Sequence, residues 1–229
     1  MSTLSVVVWL VVALTSIVAV TATWVLAREA WLRWTTRHAV ERLERALSSM
    51  DPANKPPADD LRSLVRRIDE GTLERALETM LRSDRDGARP WAIHLFTELG
   101  LVERFSKRVR EARRWADRAH AAEVLGLGAS PKAVPALVAA IRDPHEDAAS
   151  VKLSAANALA ALKDPGAVPL LVRELEVVDE HASPRIADAL VRFGSIALPS
   201  LLEMLGNIEQ GPSRVWAARV LGRIGDRSA

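Results

Sequence analysis

The chain has 229 residues, of which 49% are hydrophobic and 26% charged. That balance excludes a disordered chain and a wholly membrane-embedded one. Cys is absent, which removes disulfides, thiolate metal sites and cysteine nucleophiles. The net charge is only +2 although the sequence pI is about 9.4. With no Tyr or Cys to buffer the titration, that pI says little about nucleic acid, so local charge runs matter more.

Leu4–Leu26 is a run of 23 residues without a charge. At about 1.5 Å per residue such a helix reaches roughly 35 Å, enough to cross a bilayer core. Thr15, Ser16, Thr21 and Thr23 interrupt it, but their hydroxyls can bond back to helix carbonyls. Trp24, Trp31 and Trp34 follow at the C-terminal end, where an interfacial aromatic belt belongs. Val20 and Ala22 offer a small-residue cleavage site, but no Lys or Arg precedes the run and it exceeds a signal core. Residues 1–27 are therefore expected to be a membrane anchor. Arg28, Arg33, Arg37, Arg42 and Arg45 lie on its C-terminal side only. The positive-inside rule then predicts an inner-membrane protein with its N-terminus outside and its C-terminal domain cytoplasmic.

Residues 28–49 read as an amphipathic helix on Leu32, Ala39, Leu43 and Leu47, and residues 50–58, with Pro52, Pro56 and Pro57, as a linker. Everything beyond reads as helix. Asp59 or Asp60 is expected to cap a helix reaching Glu70, and Thr72 one reaching Arg82. Further helices are expected over Pro90–Leu99 and Leu101–Trp115.

From residue 115 a repeat emerges. Ala121-Ala122-Glu123-Val124-Leu125-Gly126 recurs as Ala155–Ala160, Ile186–Val191 and Ala217–Gly222. Its leucines, Leu125, Leu159, Leu190 and Leu221, are spaced by 34, 31 and 31 residues. A second marker follows as Val134-Pro135-Ala136-Leu137, Val168-Pro169-Leu170-Leu171 and Leu198-Pro199-Ser200-Leu201. Turns such as Gly128-Ala129-Ser130-Pro131 and Lys163-Asp164-Pro165-Gly166 lie between them. Each unit is then helix, tight turn, helix. Ala122, Ala156, Ala187 and Ala218 let neighbouring helices approach closely, and such units stack into a solenoid. Gly126 and Gly128 read as helix terminators.

This pattern, closing on Asp143-Pro144, resembles bacterial HEAT repeats, most closely the subclass named from phycobilisome lyases. The resemblance is good over residues 115–229 and degenerate over 59–114, where Trp91–Gly100 looks like a drifted first helix. It implies an all-α solenoid that binds a partner along a curved surface lined by the second helices. Lyase-type members handle a bilin on a partner protein.

The residues themselves show no catalytic constellation. His38, His94, His120, His145 and His181 match no metal-ligand spacing, and no phosphate loop or nucleophile elbow is present. No catalytic, metal or cofactor residue is assigned and no cofactor is expected. The chain is read as a non-enzymatic membrane scaffold that binds a protein partner. The alternative is a lyase-like or chaperone-like component acting on a cofactor-bearing protein. Leu137, Val138, Ile141, Leu171, Val172, Leu175, Leu201, Leu202 and Leu205 are expected core of the second helices. Arg173, Glu174, Glu203 and Met204 occupy the variable slots and are partner-binding candidates, as is Trp216 in the last repeat. There the second helix is missing, which suggests contact with another copy or another protein. Arg104, Lys107, Arg108, Arg110, Arg113 and Arg114 form the densest charge run. It suits anionic lipid or an acidic partner better than nucleic acid, which would want aromatic interleaving.

Overall fold

The computed structural model describes residues 3–48, 56–83, 87–143, 148–176, 183–206 and 211–228. All regular elements among them are helical. Linker residues 49–55, and Pro144, His145 and His181, lie outside the described residues. The chain divides into two compact units, Met1–Met80 and Leu81–Ala229.

In the first unit α1 (Thr3–Ser48) is one unbroken helix of 46 residues, long and apolar enough to cross a membrane. Its hydroxyls return to the backbone, Thr15 and Ser16 to the Val12 carbonyl, Thr21 to Ile17 and Thr23 to Ala19, at 2.7–3.0 Å. Each polar atom is thus satisfied without water, which removes the main cost of hydroxyls in an apolar segment. Trp9, Ile17, Val20, Trp24, Trp31 and Trp34 are exposed on the helix surface. The later turns bury Ala39, Val40, Leu43 and Leu47 instead.

α2 (Ala58–Val65) begins after Pro57, and neither Asp59 nor Asp60 caps it. It stops well short of Glu70. Asp69 is the reason: its carboxylate accepts from the Thr72 backbone N–H at 2.9 Å and starts α3 (Glu70–Leu81). Thr72, expected as that cap, lies buried inside the helix, where its hydroxyl accepts from Arg75 at 2.9 Å. The Thr72 N–H, then its hydroxyl, hold the Asp69 carboxyl below the ordinary value. This stabilisation is present above the ordinary carboxylate range and fades as pH falls through the lowered value.

The second unit opens with α4 (Ala88–Glu98) and α5 (Leu101–Glu111). α4 buries Trp91, Ala92, Leu95 and Phe96, as a drifted first helix should. α5 ends earlier than Trp115, because Ala112 turns extended (φ −65°, ψ 134°). Three helix pairs follow with the expected register. The first helices are α6 (Trp115–Leu127), α8 (Ala148–Leu162) and α10 (Ser183–Phe193). The second helices are α7 (Val134–Ile141), α9 (Val168–Glu176) and α11 (Leu198–Gly206). A 3₁₀ turn precedes each second helix, and Pro135, Pro169 and Pro199 sit in the first helical turn, where a missing N–H costs little. α12 (Gly211–Ser228) is a further first helix, in the register of α6, α8 and α10. Residues 186–206 also pass a length-and-apolarity test for a membrane span. They are α10 and α11, bent at Gly194 (φ 62°) and partly buried in the stack.

The repeat seam is built from small residues. Ala122, Ala155, Ala156, Ala187 and Leu159 are fully or almost fully buried. A Cβ at Gly126 would sit 2.7 Å from the Cα of Ala158, and one at Gly128 2.8 Å from the Phe96 ring. Gly126, inside the helix, therefore permits close approach, while Gly128 is the C-cap of α6 as expected and also makes room for the Phe96 ring. The left-handed residue that ends it is Ala129 (φ 49°), matched by Lys163 (φ 52°) and Gly194 one and two repeats later. Ala218, in the same register, is exposed, since no described helix packs beyond α12. A second, polar seam runs outside: Arg82 donates to Glu123 at 2.9 Å, Arg192 to Asn157 at 3.2 Å, and Arg223 to Asp188. Glu123, Asn157 and Asp188 hold one repeat position, but exposed pairs of this kind contribute at most about 1 kcal/mol each.

Two outcomes test this packing. Lys163→Gly relieves a left-handed backbone and should raise stability by about 1 kcal/mol, while Gly194→Ala should lower it by a similar amount, measured by denaturant unfolding. Gly126→Val should destabilise by roughly 1–3 kcal/mol or more, because the Ala158 backbone must move. Unchanged unfolding of Gly126→Val would mean that α6 and α8 do not meet there.

Candidate functional site

The second helices are short and mostly apolar, and one face of each packs inward. Leu137, Ile141, Leu171, Val172, Leu175 and Leu201 are buried, and Val138 and Leu205 are half-buried. α11 departs from the expected pattern. Leu202 is 57% exposed and Met204 only 4%. Met204 is thus core and not a partner-binding residue. Its slot is also that of Ala140 and Glu174, and it points toward the first helices. Ala136 and Ala140 of α7 are buried as well. Leu202 shares a slot with Val172, which is covered in the middle of the row; α11 is the last second helix among the described residues.

Glu174 is only partly available. Its carboxylate accepts from Lys152 of α8 at 3.0 Å, and both side chains are about 24% exposed. This pair ties a second helix to the first helix of its own repeat. Arg173 and Glu203 differ from it. They share one slot with Ala139, and all three are exposed. Pro135, Pro169 and Pro199, one turn earlier, are exposed too. The second helices therefore present a row that reads Ala139, Arg173, Glu203 along successive repeats, changing from neutral to positive to negative on a fixed frame.

Trp216 is half-exposed, with the Arg219 guanidinium 5.0 Å from its ring centroid. Arg219 stands where earlier repeats place Glu123, Asn157 and Asp188, so the polar seam changes sign at α12.

The basic run does not form one face. Arg108 lies over the Phe105 ring at 4.6 Å, and Lys107 reaches Glu111 at 3.8 Å. Arg118 donates to the Ala112 carbonyl at 3.0 Å and so holds the break between α5 and α6. Arg104 is half-buried and engaged. Arg110, Arg113 and Arg114 are exposed, and among the described residues no hydrogen bond or ion pair engages their side chains. Trp115 beside them is 47% exposed. Sequence reading missed Trp115 because it took the residue as the last of a Leu101–Trp115 helix, whereas it is the first of α6.

A family model described as HEAT repeats matches residues 102–180, from α5 to the end of α9. Residues 102–180 thus carry HEAT repeats. Two relatives match about a third of the chain. One is phycocyanobilin lyase subunit beta of Pseudanabaena tenuis, 38% identical over 80 residues, which are 35% of this chain and 28% of that protein. The other is phycocyanin alpha phycocyanobilin lyase CpcF of Synechocystis sp., 35% identical over 83 residues, 36% of this chain and 38% of the relative. The chain thus spans well under half the length of either. These names correct the expectation of a non-enzymatic scaffold: the HEAT relatives are lyases or lyase subunits. The missing catalytic constellation was a weak test, because a subunit that positions a partner need not carry the reacting groups.

The row and the internal pair should separate by mutation. Arg173→Glu with Glu203→Lys should leave thermal unfolding unchanged, as surface changes usually do. Lys152→Met should lower stability measurably by leaving Glu174 half-buried without its cation. If the first double variant unfolds as readily as the second, Arg173 and Glu203 are structural.

Proposed function

We propose that the chain is a component of a lyase-type enzyme whose repeat block holds a protein bearing a bilin-type cofactor. The likeness of about a third of the chain to two phycocyanobilin lyase proteins carries this reading. The exposed row through Arg173 and Glu203 supplies the protein contact, with the half-exposed Trp216 as a second anchor and a place where another copy can dock. The cofactor stays with the client protein, and the chain itself holds none. Charge that alternates along a rigid row fixes the register of a client, which is what directing a cofactor to one position requires.

The long exposed apolar surface of α1 favours action at a membrane. In this reading α1 inserts, the Arg-rich end lies in the cytoplasm, residues 50–58 act as spacer, and the repeat block works on the cytoplasmic side. Protease added to intact cells should then spare residues 60–229, and digestion from outside would refute that topology.

The enzymatic reading is tested with phycocyanin alpha subunit and free phycocyanobilin. Purified chain in detergent should retain the subunit and change the rate at which the coloured adduct forms or is lost. Arg173→Glu with Glu203→Lys should weaken retention by about tenfold, as charge reversal at an interface does. A chain that neither binds the subunit nor alters adduct formation would overturn the proposal.

A further inference from the structure

The elbow between α5 and α6 has an unusual surface. Helix α5 stops at Glu111, the backbone is extended at Ala112 (φ −65°, ψ 134°) and again at Arg114 (φ −90°, ψ 129°), and α6 starts at Trp115. The kink is held from inside by Arg118, whose guanidinium donates to the Ala112 carbonyl. Arg110, Arg113 and Arg114 are exposed at this elbow, within five residues of the 47%-exposed indole of Trp115, and no ion pair among the described residues engages them. Elsewhere in the second unit exposed cations are often matched: Arg82 by Glu123, Lys107 by Glu111, Lys132 by Glu103 and Arg223 by Asp188. An indole half in water leaves apolar surface exposed next to a run of hydrated arginines.

We propose that this elbow is a second membrane contact, seated on the anionic headgroups of the leaflet that faces the repeat block. The chemistry fits on both counts. Indole prefers the headgroup level, where its ring is half-desolvated and its N–H stays hydrogen-bonded. Guanidinium binds phosphate bidentately, and clustered Arg near an anionic leaflet gains from its negative surface potential. The contact rests on the reading of α1 as a membrane anchor only for its local concentration; its own chemistry is independent of it. With α1 inserted, the elbow never has to find the surface from solution, so a small patch is enough. The consequence is orientation: seated on the headgroups, the elbow fixes which side of the repeat block meets a client.

The absence of Cys makes the test direct. Full-length chain carrying Glu111→Cys, on the elbow, or Ala161→Cys, exposed on α8, is labelled with a polarity-sensitive fluorophore. Each is mixed with vesicles of phosphatidylcholine alone, or with phosphatidylglycerol added, both containing headgroup-quencher lipid. The label at 111 should be quenched and blue-shifted on the phosphatidylglycerol vesicles, and the label at 161 should not. Arg110→Gln, Arg113→Gln and Arg114→Gln together should weaken the elbow's binding by about a hundredfold and abolish the quenching. Trp115→Ser should remove the blue shift while leaving salt-sensitive quenching. Flotation with pure phosphatidylcholine vesicles reads α1 alone, so a failed anchor shows as lost flotation there while the elbow's quenching persists. Equal signals at 111 and 161 on both vesicles would overturn the proposal, as would quenching that the triple variant leaves intact. An elbow that meets an acidic protein instead would give the first of these results.

Discussion

The repeat block depends on one steric condition: that first helices meet at small residues. Gly126 against Ala158 leaves no room for a methyl group, and Ala122, Ala156 and Ala187 repeat the condition along the stack. Close helix approach brings the flanking Val124, Leu125, Leu159 and Leu190 into mutual contact and excludes water from them. The hydrophobic gain is shared between neighbours, so no helix pair is stable by itself and stability is a property of adjacency. The outer polar seam of Arg192 with Asn157 and Arg223 with Asp188 adds register rather than much energy.

That division of labour frees the second helices. Their inward faces are fixed by Leu137, Leu171 and Leu201, and their outward slots are unconstrained by packing. Specificity can therefore be written there without cost to the fold, which is how one architecture serves many functions. The HEAT-repeat match runs from α5 to α9 and does not include α1.

Much of the fold was legible because repeated leucines, alanines and prolines report one physical unit several times over. The turns at Gly128–Pro131 and Lys163–Gly166 and the register of the helix pairs are where the spacing puts them. Single-copy features were less legible. The α5–α6 break rests on the backbone of Ala112 and on Arg118 reaching back six residues, neither of which leaves a compositional trace. The exchange of Leu202 and Met204 follows from the position of α11 at the end of a row, a fact of the stack and not of the local sequence. Asp69 and Thr72 are both good caps, and only the geometry shows that Asp69 is used. Ala129 and Lys163 in left-handed turns conceal a position where Gly would have been the obvious sign. Of the site, Arg173 and Glu203 were recognisable as variable polar slots, but the Lys152 partner of Glu174 was not, because it lies 22 residues away on another helix.

Through the seam, neighbouring repeats stand or fall together. Amide hydrogen exchange of the wild type and of Ala156→Glu measures this most directly. The substitution buries a carboxylate among Ala155, Leu159 and their neighbours without a partner. The account predicts that α6, α8 and α10 lose protection together, because each covers the other's seam, while α3 in the first unit keeps its own. Loss confined to α8, with α6 and α10 as protected as before, would contradict it.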